Sequence, residues 1–185
     1  MDASVIAALA KWPNVPAVYG WLALTARGEW RLKGEPIKNS AIREFIGRNY
    51  AADDRGCWYF QNGPQRVFVE LEATPVVYRW SSTDGITAHT NVRPQRCSAA
   101  AVLDGAVLLM ETDIGPGIVD DRDVSALIEI GVEPDDGDVD AWLAGTTEAR
   151  LIAKRLRLSG EPVRIERLAA SAVPRRYGFT RRPAA

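Results

Sequence analysis

Apolar positions along the chain switch repeatedly between helical and strand spacing. Val5, Leu9 and Trp12 fall on one helical face with Ile6 beside them, and the WPNVP run at 12–16 ends that helix. The segments AVYGWLALTA (17–26) and EWRLK (29–33) then predict a hairpin turning at Arg27-Gly28. GEPIKNS (34–40) leads into a second helix, capped by Asn39 or Ser40, whose Ile42, Phe45, Ile46 and Tyr50 form one stripe. AADDRG (51–56) reads as a polar turn.

The aromatic segment CWYFQNGPQRVFVELEATP (57–75) predicts a second hairpin. An Asn-Gly loop is normally closed by the amide of the next residue, but that residue is Pro64, which has none. A loop of four or five residues is therefore expected. With five, Trp58 faces Phe68 and Phe60 faces Arg66; with four, Trp58 and Phe60 join Val67, Val69 and Leu71. Further strands are expected at PVVYRW (75–80), ITAHT (86–90), CSAAAVL (97–103) and AVLLMET (106–112), with reversals at Asp84-Gly85 and Asp104-Gly105. IGPGI (114–118) reads as a flexible turn. A third helix follows, capped by Asp120 and Asp121, with Val124, Leu127 and Ile128 as its apolar stripe. EPDDGDVDAWLAG (133–145) predicts a turn plus one short helix. ARLIAKRLRL and PVRIERL predict a last hairpin across Ser159-Gly160, and AVPRRYGFTRRPAA (172–185) a turn and a mobile tail.

The two parts of the chain echo each other. AIREFIGR followed by DDRG has a counterpart in DVSALIEI followed by DDGD, 82 residues on (41 to 123), and NGPQRVFVELEA in SGEPVRIERLAA, 97 residues on (63 to 160). The DVDAWLAG region absorbs the extra length. The expected fold is therefore α+β, with two similar halves at 1–92 and 93–185. Each half carries antiparallel strands or a hairpin with one amphipathic helix packed on the sheet, and the second ends in a basic tail.

GEWRLKGEPI, AIREFIGRNYAADDRGCWYF and PQRVFVELEATPVV form a Gly-x-Trp strand, a Gly-x-Pro-Ile turn, a helix, a polar turn with Gly, and a hairpin ending in an acidic-apolar strand before Pro. Over Tyr19 to Val77 this pattern resembles a family of small bacterial proteins of unknown function. The resemblance implies an α+β fold of repeated motifs and a regulatory or signalling role, and it brings no catalytic residues with it.

Composition changes this picture little. With 185 residues, 46% hydrophobic and 25% charged, the chain is expected to bury a full core without staples. An acidic N-terminus and a longest uncharged stretch (Trp12 to Ala26) broken by two prolines lead to the expectation of a cytoplasmic protein with no membrane partner. Charge is segregated: residues 104–148 carry net −12 and residues 150–182 net +8. Mutual neutralisation, within one chain or across a homodimer, accounts for this; a polyanion site is the alternative.

No catalytic constellation is found. Cys57, Cys97 and His89 match no metal spacing, so no metal and no cofactor are expected. Asp135, Asp136, Asp138 and Asp140 lack the acid that a calcium loop needs at its bidentate position, and IGPGI lacks the lysine and hydroxyl of a phosphate loop. Two readings of the aromatic hairpin remain: a core element, or a stacking surface formed by Trp58, Phe60, Arg66 and Phe68. The expected function is non-enzymatic binding or regulation, the partner being an unidentified small molecule or protein. The alternatives are an enzyme with an Asp/Arg-lined cleft between the halves, or a nucleic-acid binder acting through Arg164, Arg167, Arg175 and Arg176.

Overall fold

The computed structural model describes residues 1–12 and 14–185; Pro13, within the expected helix-ending WPNVP run, lies outside the described residues. Helices and two mixed sheets make the chain α+β. It divides into two compact units. The first comprises Met1–Pro75, His89–Asn91 and Pro174–Ala185, and the second Val76–Ala88 and Val92–Val173.

In the first unit, α1 (Ala3–Lys11) precedes a meander of β1 (Val18–Leu24), β2 (Trp30–Leu32) and β3 (Glu35–Pro36). Helix α2 (Ser40–Arg48) then leads to β4 (Tyr50–Ala52), β5 (Trp58–Asn62) and β6 (Gln65–Leu71). The strand order is β3-β2-β1-β6-β5-β4. Every neighbouring pair is antiparallel except β1 and β6, which run parallel at the centre of the sheet. Asn39, rather than Ser40, caps α2, its side chain accepting from the Ile42 amide at 3.2 Å.

The expected stripes are only partly buried. Val5 and Ile46 are core residues, whereas Ile6, Trp12 and Ile42 remain about half exposed. Helix α1 is held by its end, where the Asp2 amide donates to Asn49 Oδ1 at 2.7 Å and Arg48 pairs with the Asp2 carboxylate at 3.3 Å. The AADDRG run is only in part a turn, since its first residues form β4 against β5.

The β5–β6 loop is shorter than the four or five residues expected. Asn62 pairs with Gln65, so the loop proper is Gly63-Pro64, with Gly63 at φ +56°. The missing amide of Pro64 is harmless there because the closing position belongs to Gln65. The register is that of the four-residue alternative carried one pair further. Phe60 lies opposite Val67 and Tyr59 opposite Phe68, so Trp58 and Phe60 share a face with Val67, Val69 and Leu71.

The second unit opens with the hairpin β7 (Val76–Ser81) and β8 (Gly85–Ala88). It continues with β9 (Cys97–Leu103), β10 (Val107–Thr112), β11 (Gly115–Val119), α3 (Val124–Gly131), β12 (Val132–Pro134), α4 (Val139–Ala144), β13 (Ala149–Leu151) and β14 (Val163–Leu168). The strand order is β12-β13-β14-β9-β10-β11-β7-β8, with β9 and β14 parallel and β11 and β7 parallel. Residues 114–118, expected as a flexible turn, are mostly strand β11. Its glycine at 117 is required by crowding: a Cβ there would lie 2.5 Å from the Tyr78 ring and 2.7 Å from the Val76 carbonyl oxygen. The hairpin expected across Ser159-Gly160 keeps only Arg150 opposite Arg164 and Leu151 opposite Val163. Beyond Leu151 the chain coils into a short 3-10 turn, Ala153–Leu156, because Ala153 and Leu156 bury themselves there.

The C-terminal segment is docked and not the mobile tail expected. After α5 (Val173–Tyr177), Phe179 and Pro183 are buried. The Thr180 amide donates to Gly56 O at 2.9 Å, the Leu71 amide donates to Arg181 O at 2.8 Å, and Arg181 donates to the carbonyls of Leu71 and Glu72. Gly56 (φ +73°) makes the seat, since a Cβ there would stand 2.1 Å from Gly178 O. Gly56→Ala is therefore expected to cost about 2 kcal/mol and to free the segment. Limited trypsinolysis should cut after Arg181 faster than in the parent chain; the Arg182-Pro183 bond resists trypsin in both. Equal cutting rates would show that the docking does not depend on Gly56.

Candidate functional site

The parallel register of β1 and β6 sets the geometry of a charged cavity in the first unit. Ala23 lies opposite Arg31 of β2 on one side and opposite Glu70 of β6 on the other, so the three side chains leave the sheet on the same face. At the carboxyl ends of the two parallel strands a cavity of about 400 Å³ opens, lined by Thr25, Arg31, Glu70, Glu72, Arg181 and Arg182 around an Ala23–Leu24–Leu71 floor. Its charged groups divide into two kinds. Glu72 is engaged by the Ala26 amide at 3.0 Å, and Arg181 by the Leu71 and Glu72 carbonyls. Arg31 reaches only Glu29, at 4.0 Å, while Glu70 and Arg182 form no ion pair among the described residues.

The same face of the sheet carries an arginine-aromatic ladder. Tyr19 stacks on Phe68 at 4.6 Å with the ring planes 5° apart, and Tyr59 meets Phe68 edge-on at 5.8 Å. The Arg66 guanidinium lies 4.7 Å over Tyr59, and Arg55 lies 5.8 Å from Phe68 and hydrogen-bonds Tyr19. Of the four residues named from the sequence, Arg66 and Phe68 thus come together here. Phe60 and Trp58 sit on the opposite face, where Phe45 packs edge-on against Phe60 at 5.5 Å and Tyr50 packs against Trp58 at 4.8 Å. Phe60 and Phe68 are buried, Trp58 is half-buried and Arg66 is exposed. Tyr19 and Tyr59 were not singled out from the sequence. Strand alternation places Tyr59 with Phe68 once the register is known, but the register is a tertiary fact.

His89 lines a smaller cavity, about 190 Å³, with Trp30, Ser40, Arg43, Glu44 and Thr90. Its ring lies between Trp30 and Tyr50, at 5.2 and 5.8 Å, and burial pushes its pKa down to about 3. The imidazole is neutral at physiological pH and far from the range of a general base. Cys57 and Cys97 are buried free thiols, and burial raises Cys97 to about 11, which removes it as a nucleophile.

In the second unit Asp and Arg do meet. Asp120 has no exposed side-chain surface; Arg122 donates to it from Nε at 2.8 Å and Nη2 at 2.6 Å, and Arg79 approaches to 3.6 Å. The hydrogen bonds from Arg122 hold its pKa at about 2. Asp123 accepts from Arg79 at 2.6 Å and from the Trp80 amide at 3.1 Å. The cap position of α3 falls on Asp123 and not on the expected Asp120 or Asp121, and the Asp123 side chain accepts nothing from the helix. Asp138, in contrast, caps α4 through the amides of Asp140 and Ala141. A carboxylate held ionised down to pH 2 is no proton donor at neutral pH, so the cluster is built to hold a turn.

Three ion pairs within the chain join the acidic and basic segments. Arg150 pairs with Asp135 at 2.8 Å, Arg155 with Glu133 at 2.5 Å and Arg164 with Glu148 at 3.3 Å, joining the acidic segment to the basic strands. Among the arginines named for nucleic acid, Arg164 is thereby engaged and Arg167 donates to the Trp142 carbonyl. Arg175 and Arg176 lie on α5, with Arg176 over the Tyr177 ring at 5.7 Å. Arg167 also borders an open groove of about 350 Å³ at the carboxyl ends of β9 and β14, with Leu103, Asp104, Leu143 and Leu168. Among the described residues, no cluster of three or more His, Cys, Asp or Glu side chains could hold a metal ion, and no helix is long and apolar enough to cross a membrane.

Fold and site define an α+β protein with two mixed sheets, each carrying a charged cavity or groove at the carboxyl ends of a central parallel strand pair. The chain belongs to the family described as Protein of unknown function (DUF2946), whose model matches residues 1–184. No curated protein matches it. Among solved structures it is similar to a DUF1285 family protein from Silicibacter pomeroyi DSS-3, with 16% identity, a TM-score of 0.51, and 84% of this chain and 86% of that one covered. It is also similar to a DUF1285 family protein from Shewanella baltica OS155, with 10% identity, a TM-score of 0.46, and 58% and 90% covered. The first likeness shows a shared fold.

Proposed function

We propose that this protein is a non-enzymatic binding protein with a regulatory role, and that it takes a small charged molecule in the cavity at the carboxyl ends of β1 and β6. The observation that carries this reading is the composition of that cavity. It collects acidic and basic side chains on a sheet, where a ligand can be oriented, and places no histidine or thiol among them. The groups that chemistry would require lie elsewhere and are silenced: His89 is held neutral, Cys97 protonated and Asp120 ionised.

The same reading includes two similar halves. Order of elements supports it: β1-β2-β3-α2-β4-β5-β6 in the first unit and β9-β10-β11-α3-β12-β13-β14 in the second are each three strands, a helix and three strands, with the first and sixth strands parallel. Leu24 opposite Leu71 and Leu103 opposite Leu168 end the two parallel pairs beside the cavity and the groove. Such halves divide between β8 and β9, at residues 92 and 93, with α4 as the insertion that lengthens the second.

Native mass spectrometry of the freshly purified chain, followed by thermal-shift screening against charged metabolites, tests the binding role. A retained mass or a ligand-dependent rise in Tm is expected. A chain with no adduct and no response to any charged small molecule would overturn it.

A further inference from the structure

Resting on the binding role just proposed, we infer that the first-unit cavity recognises an acidic α-amino acid, a small molecule bearing one ammonium and two carboxylates. The row Arg31–Ala23–Glu70 spaces the charges of the cavity. Three adjacent strands present these residues on one face, and neighbouring strands lie roughly 4.8 Å apart, so the two charged stems are anchored about 10 Å apart. Ala23 between them contributes a single methyl group and leaves the floor open. Arg31 and Glu70 leave the sheet on the two sides of this floor, and no ion pair joins them among the described residues.

What the cavity offers a ligand is set by which charges the fold already uses. Arg181 and Glu72 are spent on backbone partners, so they hold the C-terminal segment and the 25–26 turn in place. Arg182 and Glu70 are left without an ion pair, and Arg31 keeps only its exposed 4.0 Å contact with Glu29, so two cations and one anion face the cavity. The complement of that set is two anions and one cation. A planar guanidinium suits a carboxylate, with two parallel hydrogen bonds, and a lone carboxylate suits an ammonium. A volume of about 400 Å³ is ample for a molecule of that size and excludes a long polymer. The C-terminal segment is part of the site, because Arg182 reaches the cavity only when Arg181 is docked on β6.

The test is titration calorimetry of the full chain with L-glutamate, with glutarate, which lacks the ammonium, as the matched probe. L-glutamate is expected to bind at least about tenfold more tightly than glutarate. Glu70→Gln should abolish that preference by weakening L-glutamate and tightening glutarate, from which it removes a repelling charge, and Arg182→Gln should weaken both by about tenfold, in line with the loss of a charge-assisted contact. Both side chains are on the surface of the cavity, so unchanged Tm of the variants will show that folding is intact. Glutarate binding as tightly as L-glutamate, with Arg182→Gln still weakening it, would overturn the amino-acid class and leave the binding role standing. Binding of neither probe would overturn the amino-acid class, and the metabolite screen then decides the binding role separately.

Discussion

Gly117→Val is expected to lower the unfolding free energy by at least about 3 kcal/mol, the upper range for forcing extra atoms into a packed interior. The new Cβ would stand 2.5 Å from the Tyr78 ring and 2.7 Å from the Val76 carbonyl oxygen on the neighbouring parallel strand. Neither obstacle can retreat easily. The Tyr78 hydroxyl is pinned by Thr112 Oγ1 at 2.8 Å and by the Gly115 carbonyl at 2.7 Å, and the Val76 oxygen belongs to the sheet backbone. Urea unfolding at neutral pH measures the loss. A variant within about 1 kcal/mol of the parent would mean that β11 and β7 can separate without penalty.

Asp120→Asn should cost about 2 kcal/mol at pH 7, and the cost should vanish in acid. The carboxyl's folded-state pKa is depressed from 3.8 to about 2 by its hydrogen bonds from Arg122. A depressed pKa stabilises the fold above the unfolded-state value, and that stabilisation is lost as pH falls from about 4 through about 2. The difference between parent and variant is therefore expected to be full at pH 7, reduced at pH 3 and small at pH 2. Unfolding at those three values measures it. A difference that stays constant down to pH 2 would show that the charge of Asp120 contributes nothing and that only the exchange of an acceptor oxygen for an amide donor facing Arg122 matters.

The long hairpins were legible from the sequence because each carries its own signal. CSAAAVL and AVLLMET, reversing at Asp104-Gly105, became β9 and β10, and the strands flanking Asp84-Gly85 became β7 and β8. Strands β3 and β4, of two and three residues, were not legible, since they exist only by pairing with β2 and β5. Strand β11 was hidden by its glycines, of which Gly117 leaves room for the Tyr78 ring.

The candidate site was legible in part. Arg66 and Phe68 belong to the arginine-aromatic ladder as their alternation suggests, but Tyr19 joins it from β1 through parallel pairing with a strand more than 40 residues away. The cavity was not legible at all. Arg31, Glu70 and Arg182 come from three distant stretches, and none carries a motif.

What the residue pattern determined by itself was the alternation of helices and short strands, the α+β class, and the segregation of charge, part of which Arg150, Arg155 and Arg164 pair inside the chain. Tertiary structure alone decided the hairpin register, the docking of the C-terminal segment and the row Arg31–Ala23–Glu70. Periodicity is a local property, fixed by backbone geometry over one turn or one pleat. Which strand lies beside which depends on burying faces from remote segments together, and a one-residue change of register would turn every one of those side chains away.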